Sequence, residues 1–177
     1  MSEEMDEEVC IMDERVAENN VRLELAVSIN EPIEKILYNE PVIVKKNTVI
    51  SDVVNLLIEN DVSCVLIVEN NKLEGIFTER DVVRKLVYGK HDFTKEVVGS
   101  FMTRNPETLS PSAPIAYALN KMAAGGYRHI PLVDEADKPI GYLSIKDIIE
   151  HLADYYSNEI LNLPPEPDFE QTSRDGG

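Results

Sequence analysis

The chain has 177 residues, 43% of them apolar, enough for one compact domain or two small ones sharing a core. Its 33 acidic against 17 basic residues leave a net charge of −16, a field that repels nucleic-acid phosphates and anionic membrane surfaces alike. No stretch approaches the roughly 18 consecutive apolar residues of a membrane span, and an acidic start lacks the basic-then-apolar order of a signal peptide, which together point to the cytoplasm.

Residues 1–30 form an acidic N-terminal segment that reads as partly disordered, with only Val16 to Ile29 apolar enough for a docking helix or strand. From residue 31 the chain writes one pattern twice. The first copy, residues 31–90, opens with Ile33, Ile36 and Leu37 ahead of Pro41. A helix face follows in Ile50, Val53, Val54 and Leu57, with Asn47 or Thr48 placed to cap it. An apolar strand spans Val62 to Val68, a polar turn spans Glu69 to Lys72, and a short strand through Gly75 leads to a second helix, Asp81 to Tyr88.

The second copy, residues 96–158, sets Val98, Phe101 and Met102 ahead of Pro106, 65 residues after Pro41. Its helix face is Ile115, Ala118, Leu119 and Met122, capped by Ser112 with Pro114 in the opening turn. The strand Tyr127 to Val133 and the turn Asp134 to Lys138 follow. That turn is one residue longer, so Gly141 answers Gly75 and Asp147 answers Asp81 at an offset of 66. A last helix spans Asp147 to Tyr156, and proline and polar residues make 163–177 a disordered tail. Each copy of about 60 residues is too small to bury a core alone. The fold class is therefore α+β, two βαββα repeats packed about a pseudo-two-fold axis.

The chemistry-bearing residues are sparse. Cys10 and Cys64 make neither a disulfide framework nor a metal motif, and Cys64 reads as a buried free thiol. Serine and cysteine nucleophiles lack a paired histidine, and His91, His129 and His151 have no metal-ligand spacing. Asp134, Glu135 and Asp137 fit a hairpin turn better than a calcium loop. The chain reads as neither an enzyme nor a metalloprotein.

The second helix of each copy has a wide apolar face: Val82, Val83, Leu86 and Val87, then Ile148, Ile149, Leu152 and Ala153. One strip faces the sheet. The surplus needs a cover, either a second chain in a symmetric homodimer or the segment Val16 to Ile29.

The tandem βαββα unit resembles the CBS domain, and the pair a Bateman module. The resemblance spans about Ile33 to Tyr155. It is carried by Gly-Ile-Phe-Thr-Glu-Arg-Asp ending at Asp81, Gly-Tyr-Leu-Ser-Ile-Lys-Asp ending at Asp147, Phe101-Met102-Thr103, and Arg128-His129-Ile130-Pro131-Leu132-Val133-Asp134. It implies two clefts for an adenosine-containing nucleotide such as AMP, ADP or ATP, bound as a regulatory ligand and signalled to an unknown regulated protein. A ligand-free interaction and dimerisation scaffold is the alternative. The resemblance also implies that Asp81 with Thr78, and Asp147 with Ser144, accept the ribose hydroxyls.

The Asp81 cleft then takes Asn105, Ser110, Tyr127, Arg128, His129 and Pro131 as walls, with Arg80, Arg128 and His129 toward the phosphates. The Asp147 cleft takes Glu40, Lys45, Val62, Ser63 and Cys64, with Lys45 and Lys146 as its cations. Family members often carry threonine where this chain has Glu40 and Asn105, and Glu40 adds negative charge to the Asp147 side. Both motifs are open to a purely structural reading as helix N-caps, although a capping box favours Glu or Gln over Asp for its reach. Gly75 and Gly141 mark either close ligand approach or a bend.

Overall fold

The computed structural model describes residues 26–36 and 38–155. Most of the N-terminal segment, Leu37, Tyr156 and the tail 163–177 therefore lie outside the described residues. In chain order come β1 (Ile43–Val44), α1 (Ile50–Glu59), β2 (Cys64–Glu69), β3 (Lys72–Thr78) and a helix α2 that begins as Glu79–Asp81 and widens to a π-helix over Val82–Val87. The second copy gives β4 (Thr103–Arg104), α3 (Ile115–Gly125), β5 (His129–Val133), β6 (Pro139–Ser144) and α4 (Ile145–Tyr155).

The two sheets are variations on one plan. In the first, β1 runs parallel to β2, β2 pairs antiparallel with β3, and β3 pairs with β4 of the other copy. In the second, β5 and β6 pair antiparallel, while the outer strands shrink to single bridges, Leu109 to Leu132 and Asn39 to Tyr142. The order matches element for element, including the edge contributed by the opposite copy.

This exchange of edges continues in the cores. Ile33 and Ile36 pack with Ile115, Ala118, Ile130 and Leu143 of the second repeat. Val98 and Met102 pack with Val44, Ile50, Val65 and Phe77 of the first. A small third cluster, Cys64, Leu66, Ile76 and Tyr142, lies between the sheets. It explains why β2 is apolar without alternation: Val65 and Ile67 face the first core while Cys64 and Leu66 face the other repeat.

The exchanged segments also replace the expected helix caps. The N-caps of α1 and α3 are Val49 and Pro114, neither with a side-chain cap bond, so Asn47, Thr48 and Ser112 do not serve. Carbonyls of the opposite lead-in satisfy the first amides: Glu96 O accepts from Ile50 N, and Glu31 O from Ile115 N, each at 2.9 Å. Thr48 instead turns back to accept from Lys45 N.

Both hairpins follow their residues. Asn70 and Asn71 take φ of 50° and 62°, the left-handed pair of a two-residue type I′ turn. Asp134 Oδ1 accepts from Ala136 N and Lys138 N at 2.9 Å, so its carboxylate organises the longer turn.

Candidate functional site

The repeated motif builds the same helix start twice. Asp81 Oδ2 accepts from Thr78 N and from the Thr78 hydroxyl at 2.9 Å, and the hydroxyl accepts from Asp81 N at 3.3 Å. Ser144 N donates to Asp147 Oδ2 at 2.7 Å, and Asp147 N to Ser144 Oγ at 3.2 Å. The capping reading is thus realised in full, and the reach expected of Glu or Gln is met by Asp.

The two carboxylates differ in their third partner. Lys85, one helical turn on, meets Asp81 Oδ1 at 2.8 Å and donates to Phe101 O at 2.6 Å. Asp147 Oδ2 accepts from Asn39 Nδ2 at 2.8 Å. Asn39 arrives there because its backbone pairs with Tyr142 in both directions.

That pairing also answers the question posed by the glycines. A Cβ on Gly141 would stand 2.6 Å from Tyr38 Cδ2 and 2.9 Å from Asn39 O, and one on Gly75 would stand 2.6 Å from Met102 Sδ and 2.9 Å from Thr103 O. The space is needed by the other repeat's edge strand, not by a ligand.

A cleft of about 570 Å³ opens between the repeats. The first repeat gives it Ser63, Ile76, Thr78, Glu79, Arg80 and Asp81, and the second gives Thr103, Asn105, Pro106, Glu107, Tyr127, Arg128, His129, Ser144, Ile145 and Lys146. Of the residues assigned to the Asp81 side, Thr78, Arg80, Asp81, Asn105, Tyr127, Arg128 and His129 come together. Ser110 does not: it is exposed and bonded to Ser112 Oγ. Pro131 is buried inside β5.

The residues assigned to the Asp147 side are divided. Ser63 and Ser144 line the same cleft as Asp81, and Lys146 joins them there. Asp147, Glu40, Lys45, Val62 and Cys64 do not line it. Val62 packs on the first core, and Cys64 is fully buried in the cluster between sheets. Burial, then Asp147 and Glu79, push the Cys64 thiol far above its ordinary value, so it stays protonated. Sequence reading missed Ile76, Glu79, Thr103, Pro106, Glu107 and Ile145. The signal available was proximity for Ile76, Glu79, Pro106 and Ile145, each beside a residue already named.

Two contacts tie the repeats across the cleft. Arg80 Nη1 donates to Gly126 O at 2.9 Å, a carbonyl presented by the left-handed turn that ends α3. Ser63 Oγ meets His129 Nε2 at 2.6 Å, which overturns the expectation that no serine has a histidine partner. Burial, then the neighbouring Arg128, lower the His129 pKa, so the ring is neutral at pH 7 and offers a hydrogen bond rather than the expected positive charge. Among the described residues no group of three or more His, Cys, Asp or Glu side chains is placed to hold a metal ion, and no helix is long and apolar enough to cross a membrane.

The family model of the CBS domain matches residues 26–88 and 98–154. The meiotically up-regulated gene 70 protein of Schizosaccharomyces pombe is 31% identical over 140 residues, 78% of this chain but 18% of that protein. The CBS domain-containing protein CBSCBSPB1 of Arabidopsis thaliana is 29% identical over half of this chain and 16% of its own length, so the chain spans under a fifth of these two relatives. Among solved structures, the CBS domain pair of protein MJ0100, in complex with 5′-methylthioadenosine and S-adenosyl-L-methionine, superposes with a TM-score of 0.63 at 25% identity, covering 70% of this chain and 96% of that one.

Proposed function

We propose that this chain, which belongs to the CBS domain family, binds an adenosine-containing nucleotide in the cleft between its repeats and signals occupancy to a partner protein. The observation that carries this reading is the convergence of Asp81, Arg80, Arg128 and His129, drawn from both repeats, on one cleft of about 570 Å³, a volume suited to a small ligand. The adenosine compounds bound by the MJ0100 domain pair support the ligand class.

An ionised carboxylate offers about four lone-pair sites, and Asp81 uses three of them internally. One remains for a ribose hydroxyl, with the Thr78 oxygen beside it. The Asp147 side is less suited, because that aspartate does not line the cleft. In calorimetry against AMP, Asp81→Ala is expected to weaken binding by about 1.5–3 kcal/mol and Asp147→Ala by less. Equal effects, or none from Asp81→Ala, would overturn the ribose assignment.

The competing reading is a ligand-free dimerisation scaffold. It is favoured by one observation: both aspartates already have structural partners within the chain. Absence of binding by every adenosine compound tested would decide for it.

A further inference from the structure

The charges around the cleft set how much phosphate it accepts, an inference that rests on the nucleotide reading above. Arg80, Arg128 and Lys146 line the cleft as cations, and Glu79, Asp81 and Glu107 line it as carboxylates. Three of the six have ion-pair partners outside the lining: Asp81 with Lys85 at 2.8 Å, Glu107 with Lys121 at 2.5 Å, and Lys146 with Glu150 at 3.4 Å. With those partners counted, five cations face four carboxylates, leaving one net positive charge in a chain of net −16.

The cations are also unequally committed. Lys146 is held by Glu150, and Arg80 gives one guanidinium nitrogen to Gly126 O. Arg128 is exposed, and its guanidinium has no hydrogen bond or ion pair among the described residues, its only bond being from Ile145 N to its backbone carbonyl. Glu79 likewise has no side-chain partner among them. His129 adds no charge, being neutral.

We propose that the cleft takes an adenosine ligand bearing no more than one phosphate and discriminates against the triphosphate. Two guanidiniums match the two charges of one phosphate in forked geometry. Each further phosphate brings charge that no uncommitted cation meets and that the unpaired Glu79 repels, with Glu107 held neutralised only by Lys121, in a cleft where screening is weaker than in open solvent.

The test is calorimetry on the full chain with adenosine, AMP, ADP and ATP in magnesium-free buffer. AMP should bind tightest, with ATP weaker by at least about tenfold and ADP between. Glu79→Gln combined with Glu107→Gln should narrow the AMP-to-ATP ratio, with thermal melts confirming that the variant is folded. ATP binding as tightly as AMP overturns the proposal while leaving adenosine binding intact. An AMP-to-ATP ratio unmoved in the folded double variant overturns the part given to the carboxylates. If neither adenosine nor any nucleotide binds, the nucleotide reading itself falls, and this inference falls with it.

Discussion

The Ser63–His129 contact joins side chains 66 residues apart at the cleft, and it gives the histidine a fixed orientation without giving it a charge. Its lowered pKa has a consequence for stability. Because the folded ring holds its proton less tightly than the ordinary value of 6.5, the unfolded chain binds that proton first as the pH falls. Stability from this group is therefore full above pH 6.5 and declines as the pH drops below it toward the folded value. His129→Gln should remove part of that decline, read from urea midpoints across the range; an unchanged pH slope would place the titration elsewhere. The sequence announced Thr78, Asp81, Ser144 and Asp147 through a repeated motif, but a motif is silent on which partner takes a carboxylate. The bonds from Lys85 to Asp81 and from Asn39 to Asp147 separate the two copies, and the second spans 108 residues. Ser63 with His129 and Arg80 with Gly126 were hidden for the same reason, being products of how the repeats dock.

At the scale of elements, the apolar periodicities located the starts of α1 and α3, and the central strands to within two residues, because each buries one face in its own repeat. Expected strand starts at Val62 and Tyr127 move to Cys64 and His129. The preceding Ser63 and Arg128 turn into the cleft instead of joining a ladder. Beyond reach was the exchange of lead-ins: β4 holds only two residues and pairs with the other copy, so local pattern carries no trace of it. The widened turn of α2 was equally hidden, since Tyr88 N bonds Val83 O only in the folded context. Two predictions belong here. Gly141→Ala should destabilise the chain by about 1–3 kcal/mol, because the added methyl meets the Tyr38 ring and the Asn39 carbonyl at once. Asn71→Val should cost about 1–2 kcal/mol in chemical denaturation while Asn71→Gly is tolerated, since only the former resists a left-handed φ. A neutral Asn71→Val would mean the hairpin can use another turn.

For the whole molecule, the exchanged segments make each core depend on residues of the other repeat, so neither repeat is complete alone. What the two cores leave uncovered is then a property of the assembled pair. Val82 and Leu86 turn inward on α2, as do Ile148 and Leu152 on α4, while Val83 stays 63% exposed, Val87 58% and Ile149 58%. Val83 and Ile149 occupy matching positions of the two repeats, so the apolar surface itself follows the pseudo-two-fold. The alternative cover, the segment Val16 to Ile29, lies mostly outside the described residues. In its described part, Val27 is itself 51% exposed. A second copy of the chain covers such a patch with the same patch, which a two-fold interface requires. Light scattering at micromolar concentration should therefore give twice the 19.9 kDa of one chain. Val83→Asp with Ile149→Asp should shift that mass toward the monomer without unfolding it, because both side chains point away from the cores and burying an unpaired carboxylate in an interface is what the substitution forbids. A parent mass near 19.9 kDa would remove the dimer and return the patch to the N-terminal segment.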